Sequence, residues 1–120
     1  MIEWAGVAVG GIFGAWTRFA ITNLIGRFWK ANYPLATFLI NITGAFLLGF
    51  VTAAARPNNV FDYWLRSAVG IGFLGAYTTF STFMFESITL TDRRAFLTMF
   101  SYLAASILFG LLGAWLGLSI

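Results

Sequence analysis

The chain has 120 residues, of which 60% are hydrophobic and 9% charged; one domain of that size has no interior able to hide so much apolar surface, so a soluble protein is excluded. The net charge of +3 comes from seven Lys and Arg against four acids, placed mostly at segment ends, which reads as membrane-flank chemistry and not as the clustered basic face that nucleic acid requires. Cys and His are both absent, which removes disulfides, thiol nucleophiles, zinc sites and imidazole catalysis together and leaves no nucleophile–base pair to mark an enzyme.

Four apolar segments each reach the roughly 20 residues that a helix needs to cross the hydrocarbon. The first covers residues 4–25. Gly6, Gly10 and Gly14 recur every four residues and Arg18 continues the spacing. The glycines form a packing stripe that lets a second helix approach. Arg18, well inside an apolar run, calls for a partner or a wet vestibule, unless it snorkels to the nearer end. Glu3 stands where a signal peptide would be basic, so the segment reads as mature protein. Arg27, Trp29, Lys30, Asn32 and Tyr33 then form an interfacial link.

Pro34 suits the first turn of the second segment, residues 34–54. Thr37 and Asn41 lie four apart on one face, with Thr43 close by. An asparagine at mid-membrane must find partners, either on another helix or on a ligand. Arg56, Pro57, Asn58 and Asn59 read as a turn, and Phe61 to Arg66 as an interfacial helix start.

The third segment, residues 64–87, carries the most unusual stretch. Gly70, Gly72 and Gly75 run into Thr78, Thr79, Ser81 and Thr82, with Phe80 and Phe83 among them and Glu86 at the end. Glycine and β-branched residues are poor helix formers, and hydroxyls compete for backbone hydrogen bonds. The composition predicts a helix broken near 75–79. Open backbone inside a membrane survives only where protein buries it or a polar cavity borders it, so the break marks a candidate ion site.

Asp92, Arg93 and Arg94 form the last link before the fourth segment, residues 96–120. Thr98, Tyr102, Ser106 and Gly110 follow one face at four-residue spacing, and Gly110, Gly113 and Gly117 continue it as a small-residue face. Basic link residues divide as Arg56 and Arg66 on one side against Arg27, Lys30, Arg93 and Arg94 on the other, a weak orientation bias. The intramembrane polar groups are mostly neutral donors, and acids are nearly absent from the segment middles. That disfavours a proton-coupled transporter and suits a small anion that accepts hydrogen bonds. Phe80 and Phe83 either pack or turn their positive ring edges to that anion.

Together these residues resemble the Fluc (CrcB) family of fluoride channels. Gly10–Arg18 looks like its first-helix signature, and Thr37–Gly44 like its second-helix motif. Gly72–Phe83 followed by Glu86 is the most specific match, and Tyr102 and Ser106 fit the fourth helix. The resemblance covers essentially the whole chain. It implies an all-α protein of the bacterial plasma (inner) membrane, with four transmembrane helices, the third broken near its middle, embedded in lipid as an antiparallel dual-topology homodimer. It implies a fluoride-selective passive channel exporting cytoplasmic fluoride. A structural Na⁺ at the dimer interface would be held by the carbonyls of Gly75 and Thr78. Phe80 and Phe83 would line the pathways, Asn41 would donate to fluoride, and Ser81, Thr82, Thr37, Tyr102 and Ser106 would form a polar track. Arg18 would attract anions at a vestibule and Glu86 would lie near a pore mouth. The chain departs from the family at Ala76, where a second glycine is frequent, and at Gly110, where a hydroxyl would extend the track. Two other readings compete: a small multidrug transporter, which needs a first-helix glutamate where this chain has Arg18, and a non-transporting assembly factor whose polar residues only glue helices.

Overall fold

The computed structural model describes all residues except Met1, Asn32, Arg56, Pro57 and Asn58, together with the side chains of Ile2 and Glu3. The expectations placed on Glu3, on Asn32 in the first link and on the Arg56–Asn58 turn lie outside the described residues. Helices make up most of the rest: α1 (Ile2–Phe28), α2 (Leu35–Ala54), α3 (Val60–Leu65), a π-helical stretch (Arg66–Leu74), α4 (Gly75–Tyr77), α5 (Phe80–Asp92) and α6 (Phe96–Ser119). From α3 to α5 the chain forms one bent span, Val60–Asp92. With α1, α2 and α6 this makes four spans long and apolar enough to cross a membrane. The longest dimension, 51 Å, exceeds the roughly 40–45 Å of a bilayer with its headgroups.

Local signals set the boundaries. Pro34 sits at the N-cap of α2, one residue ahead of the helix, at φ −78°. The Asn59 side chain caps α3 by accepting from the Asp62 N–H at 2.9 Å, which satisfies one of the orphan donors of a helix start. A tight turn joins α5 to α6 and places Arg94 at φ 58°, in the left-handed region.

Two seams of small residues hold the spans together. α1 lies against the π-helical stretch, and α2 lies along α6. A Cβ on Gly10 would land on the Ala68 carbonyl, and one on Gly14 on the Phe73 carbonyl. Across the other seam a Cβ on Gly117 would strike the Phe46 carbonyl. These are backbone-to-backbone approaches of the kind small residues permit in membranes. Gly110, by contrast, faces nothing within 4 Å, so the small-residue face of α6 begins at Gly113.

The glycines of the third span do not open it. Gly70 and Gly72 lie inside the π-helical stretch, where i→i+5 bonding widens the turn. The open backbone comes later, at Thr78 (φ −79°, ψ 159°) and Thr79 (φ −148°, ψ 121°). β-branched side chains favour this extended region, whereas glycine here serves close helix approach. The buried core of Ile40, Leu74 and Tyr77 lies beside the break, with Phe73 stacked on Tyr77 at 5.8 Å.

Candidate functional site

The break is held open by α2. Asn41 Nδ2 donates to the Thr79 carbonyl at 3.0 Å, and Asn41 Oδ1 accepts from the Thr79 N–H at 2.9 Å. In a continuous helix that N–H would donate to the carbonyl of Gly75. The clamp therefore takes from the Gly75 carbonyl its normal helical partner and uses one of the two amide hydrogens of Asn41. Arg18 finds a partner on the same broken backbone, its Nη1 donating to the Thr78 carbonyl at 3.4 Å. On the near side of the break, the hydroxyls of Thr43 and Tyr77 share a hydrogen bond of 3.0 Å. On the far side, Thr79 Oγ1 accepts from the Thr82 N–H at 3.2 Å and caps α5. Thr43 and Asn41 of α2 thus grip both ends of the opening.

Two faces lead away from it. One is an open concavity of about 350 Å³ whose lining includes Asn41, Gly44, Gly75, Thr78 and Phe80. Phe80 is 74% exposed there. The other is a cavity of about 420 Å³ between α1, α2 and α5, with Arg18, Thr37, Thr82 and Glu86 in its walls. Past Glu86 the polar groups continue inward. The Tyr102 hydroxyl donates to Glu86 Oε1 at 3.2 Å, and Tyr102 is fully buried. The Phe83 ring lies 5.0 Å from the Tyr102 ring and 6.0 Å from that of Phe80. One turn along α6, Ser106 Oγ is buried with no hydrogen-bond partner, the single such side-chain atom found among the described residues.

The structure therefore divides the residues singled out by the sequence. Thr37, Thr82, Glu86, Phe83 and Tyr102 gather along the inner line, with Ser106 one turn beyond. Gly75, Thr78 and Phe80 belong to the outer concavity, and Asn41 stands at the junction. Ser81 is exposed beside the break, its hydroxyl 3.3 Å from Thr79 Oγ1. Among the described residues no group of three or more acidic side chains is placed to hold a metal ion.

Thr79, which the sequence placed in the break, also lines the Arg18 cavity, and two residues outside the sequence expectation join the site. Thr22 lines the same cavity, and the Tyr33 ring packs edge-on against Tyr102 at 5.6 Å. Thr22 follows Arg18 by one helical turn, a spacing that marks it. Tyr33 stands in a link, and no sequence pattern brings a link residue onto α6.

A four-span helical membrane protein whose third span is opened by an asparagine clamp, with neutral donors buried beside the opening, has the makings of an ion-conducting protein. Residues 5–118 match the family model described as CrcB-like protein, Camphor Resistance (CrcB). The chain is 49% identical over 120 residues to a "Fluoride-specific ion channel FluC 2" of Bacillus cereus, covering all of this chain and 98% of that protein. It is 43% identical over 118 residues to a "Fluoride-specific ion channel FluC 1" of Listeria monocytogenes, covering 98% and 96%. It is 41% identical over 111 residues to a "Fluoride-specific ion channel FluC 2" of Clostridium acetobutylicum, covering 92% and 91%. The chain belongs to the CrcB family, a multi-pass membrane protein whose relatives are named as channels and not as enzymes. That membership sets aside the multidrug-transporter reading.

Proposed function

We propose that this chain is a fluoride-selective passive channel that exports cytoplasmic fluoride, acting as an antiparallel, dual-topology homodimer in the bacterial cell membrane. The observation that carries the reading is the buried Ser106 hydroxyl without a protein partner. A polar group left unsatisfied inside a membrane costs about several kcal/mol, and an anion that accepts hydrogen bonds would remove that cost. The printed names of the relatives support fluoride as that anion.

Each residue on the line then has a physical task. Arg18 raises the local anion concentration in its cavity. Fluoride holds water tightly, so its shell has to be replaced by donors: the hydroxyls of Thr37, Ser81, Thr82 and Ser106, the second amide hydrogen of Asn41, and the Tyr102 hydroxyl once it turns from Glu86 to the ion. Phe80 and Phe83 offer positive ring edges without a fixed charge. Larger anions fail on pore width and on imperfect coordination. The scarcity of mid-membrane carboxylates suits a channel that couples to no proton. Fluoride that enters a cell as neutral HF dissociates at cytoplasmic pH, and the anion leaves down its gradient.

The outer concavity supports the homodimer. It exposes Phe80 and Gly75 and leaves Thr78 half-buried beside them, on a face where lipid would satisfy no carbonyl. The neutral carbonyls of Gly75 and Thr78 suit a hard cation such as Na⁺: the Asn41 clamp takes the helical partner of Gly75, and the Thr78 carbonyl, which accepts from Arg18 at 3.4 Å, keeps a second lone pair for the ion. Two carbonyls make half a coordination shell, and a second copy would supply the rest. A Na⁺ held there would tie the broken spans together as a structural ion. The weak charge bias suits a chain that inserts in both orientations.

The test is fluoride efflux from liposomes containing the purified protein in Na⁺ medium, beside a chloride control and Phe80→Ile. Rapid fluoride loss without chloride loss, abolished in the variant, is the expected result. Folded, dimeric protein that passes no fluoride would overturn the channel reading. Undiminished flux in Phe80→Ile would return that ring to packing.

A further inference from the structure

We infer that Arg93 is a second anion-attracting residue, placed at the mouth of a separate antechamber that leads to the Arg18 cavity. The inference rests on the channel reading above and extends it to a residue which that reading leaves unused. A cavity of about 270 Å³ lies between the link after α1 and the end of α5, with Tyr33, Pro34, Glu86, Thr89 and Arg93 in its walls. Glu86, Thr89 and Arg93 recur at helical spacing along one face of α5. Glu86 also lines the Arg18 cavity, and among the described residues it is the single one common to the linings of the two. The two spaces therefore adjoin at one carboxylate, and we take them as successive.

That arrangement poses an electrostatic problem. An anion moving from the link end toward Arg18 must pass Glu86, whose charge opposes it. The Tyr102 hydroxyl, at 3.2 Å from Oε1, holds the carboxylate aside but leaves its field. Arg93 on the outer side and Arg18 on the inner side bracket that charge with two guanidiniums, which makes the combined passage positive. Among the described residues, the antechamber's lining includes no acid other than Glu86. Burial pushes the Tyr33 hydroxyl up from its ordinary range, so Tyr33 keeps its proton and stands in the wall as a neutral donor. A cation at the C-cap of α5 also favours the helix dipole. Dipole stabilisation alone accounts for a cation near the helix end; it does not require that cation in the wall of a cavity shared with Glu86. Arg94, the next residue, is as near the helix end but lines neither cavity.

The chain has no cysteine, so Arg93→Cys introduces a unique thiol. Fluoride efflux is measured at about 10 mM ionic strength, where the screening length is about 30 Å, and again near 1 M, where it is about 3 Å. Arg93→Cys is expected to lower the low-salt flux on the order of 3- to 10-fold. A cationic methanethiosulfonate label restores most of it, an anionic label of similar size lowers it further, and the difference collapses at high salt. Arg93→Lys and Arg93→Gln give the same contrast without labelling, and Arg94→Cys responds more weakly to either label. An arginine that merely supports the fold would not distinguish the sign of the label. Equal flux after complete labelling with either charge, in a preparation whose parent conducts, overturns the inference and leaves the channel reading intact. So does Arg94→Cys responding as strongly as Arg93→Cys. A parent that passes no fluoride overturns both.

Discussion

Replacing Asn41 by alanine removes both hydrogen bonds that hold the third span open, at 2.9 and 3.0 Å. Each intramolecular bond contributes about 1 kcal/mol net, and side-chain bonds between membrane helices average nearer ~0.6 kcal/mol. The larger part comes from what is left behind. Thr79 is 8% exposed, and stranding its N–H and carbonyl costs about 1–3 kcal/mol more. The sum is about 2–5 kcal/mol, which corresponds to a roughly 30- to 4,000-fold rise in the opening equilibrium at ~1.4 kcal/mol per decade. The measurement is amide hydrogen exchange at Thr79 in detergent micelles, compared with a core amide such as that of Leu74, together with the denaturant midpoint. Selective loss of protection at Thr79 and a lower midpoint are expected. If protection at Thr79 and the midpoint both match the parent, the clamp is not what holds the break, and the account of the freed Gly75 carbonyl fails with it.

Ser106→Ala should behave unlike an ordinary truncation. Removing a buried hydroxyl that lacks a partner is expected to raise thermal stability by about 1 kcal/mol while fluoride flux falls; a stability loss in a micelle melt would contradict the orphaned state of that atom. Gly117→Ala and Gly110→Ala form a matched pair on α6. The first drives a methyl into the Phe46 carbonyl and should destabilise by about 1–3 kcal/mol, whereas the second meets open space and should gain up to about 1 kcal/mol of helix propensity; equal midpoints would refute the α2–α6 seam. Arg94→Gly relieves the left-handed φ of 58° and is expected to stabilise by about 1 kcal/mol, read as a higher melting temperature with no change in ion selectivity.

Much of the architecture is legible in one dimension. Hydropathy marks the four spans because lipid imposes its demand on every residue of a crossing segment. The glycine spacing of α1 announces a packing face, and the packing partner proves to be the widened third span. The threonine run announces broken helix, since poor helix propensity is a property of the residues themselves. Even so, the glycine half of that stretch reads as part of the weakness, and the fold uses it otherwise: Gly70 and Gly72 sit in continuous π-helix, and the backbone opens at Thr78 and Thr79.

The sequence by itself determined the number and kind of spans, the presence of a break in the third, and a store of neutral donors with Arg18 among them. Only the tertiary structure decided what those groups touch. Asn41 meets Thr79 across 38 positions and Arg18 meets Thr78 across 60, Glu86 lies within reach of Tyr102, and among the described residues the Ser106 hydroxyl alone is buried without a partner. The reason is physical. Hydropathy and backbone propensity act within a helical turn and can be read residue by residue, whereas a hydrogen bond depends on angstrom-scale distances between helices. Those distances are set by the packing of whole faces, where a single glycine can let two backbones meet.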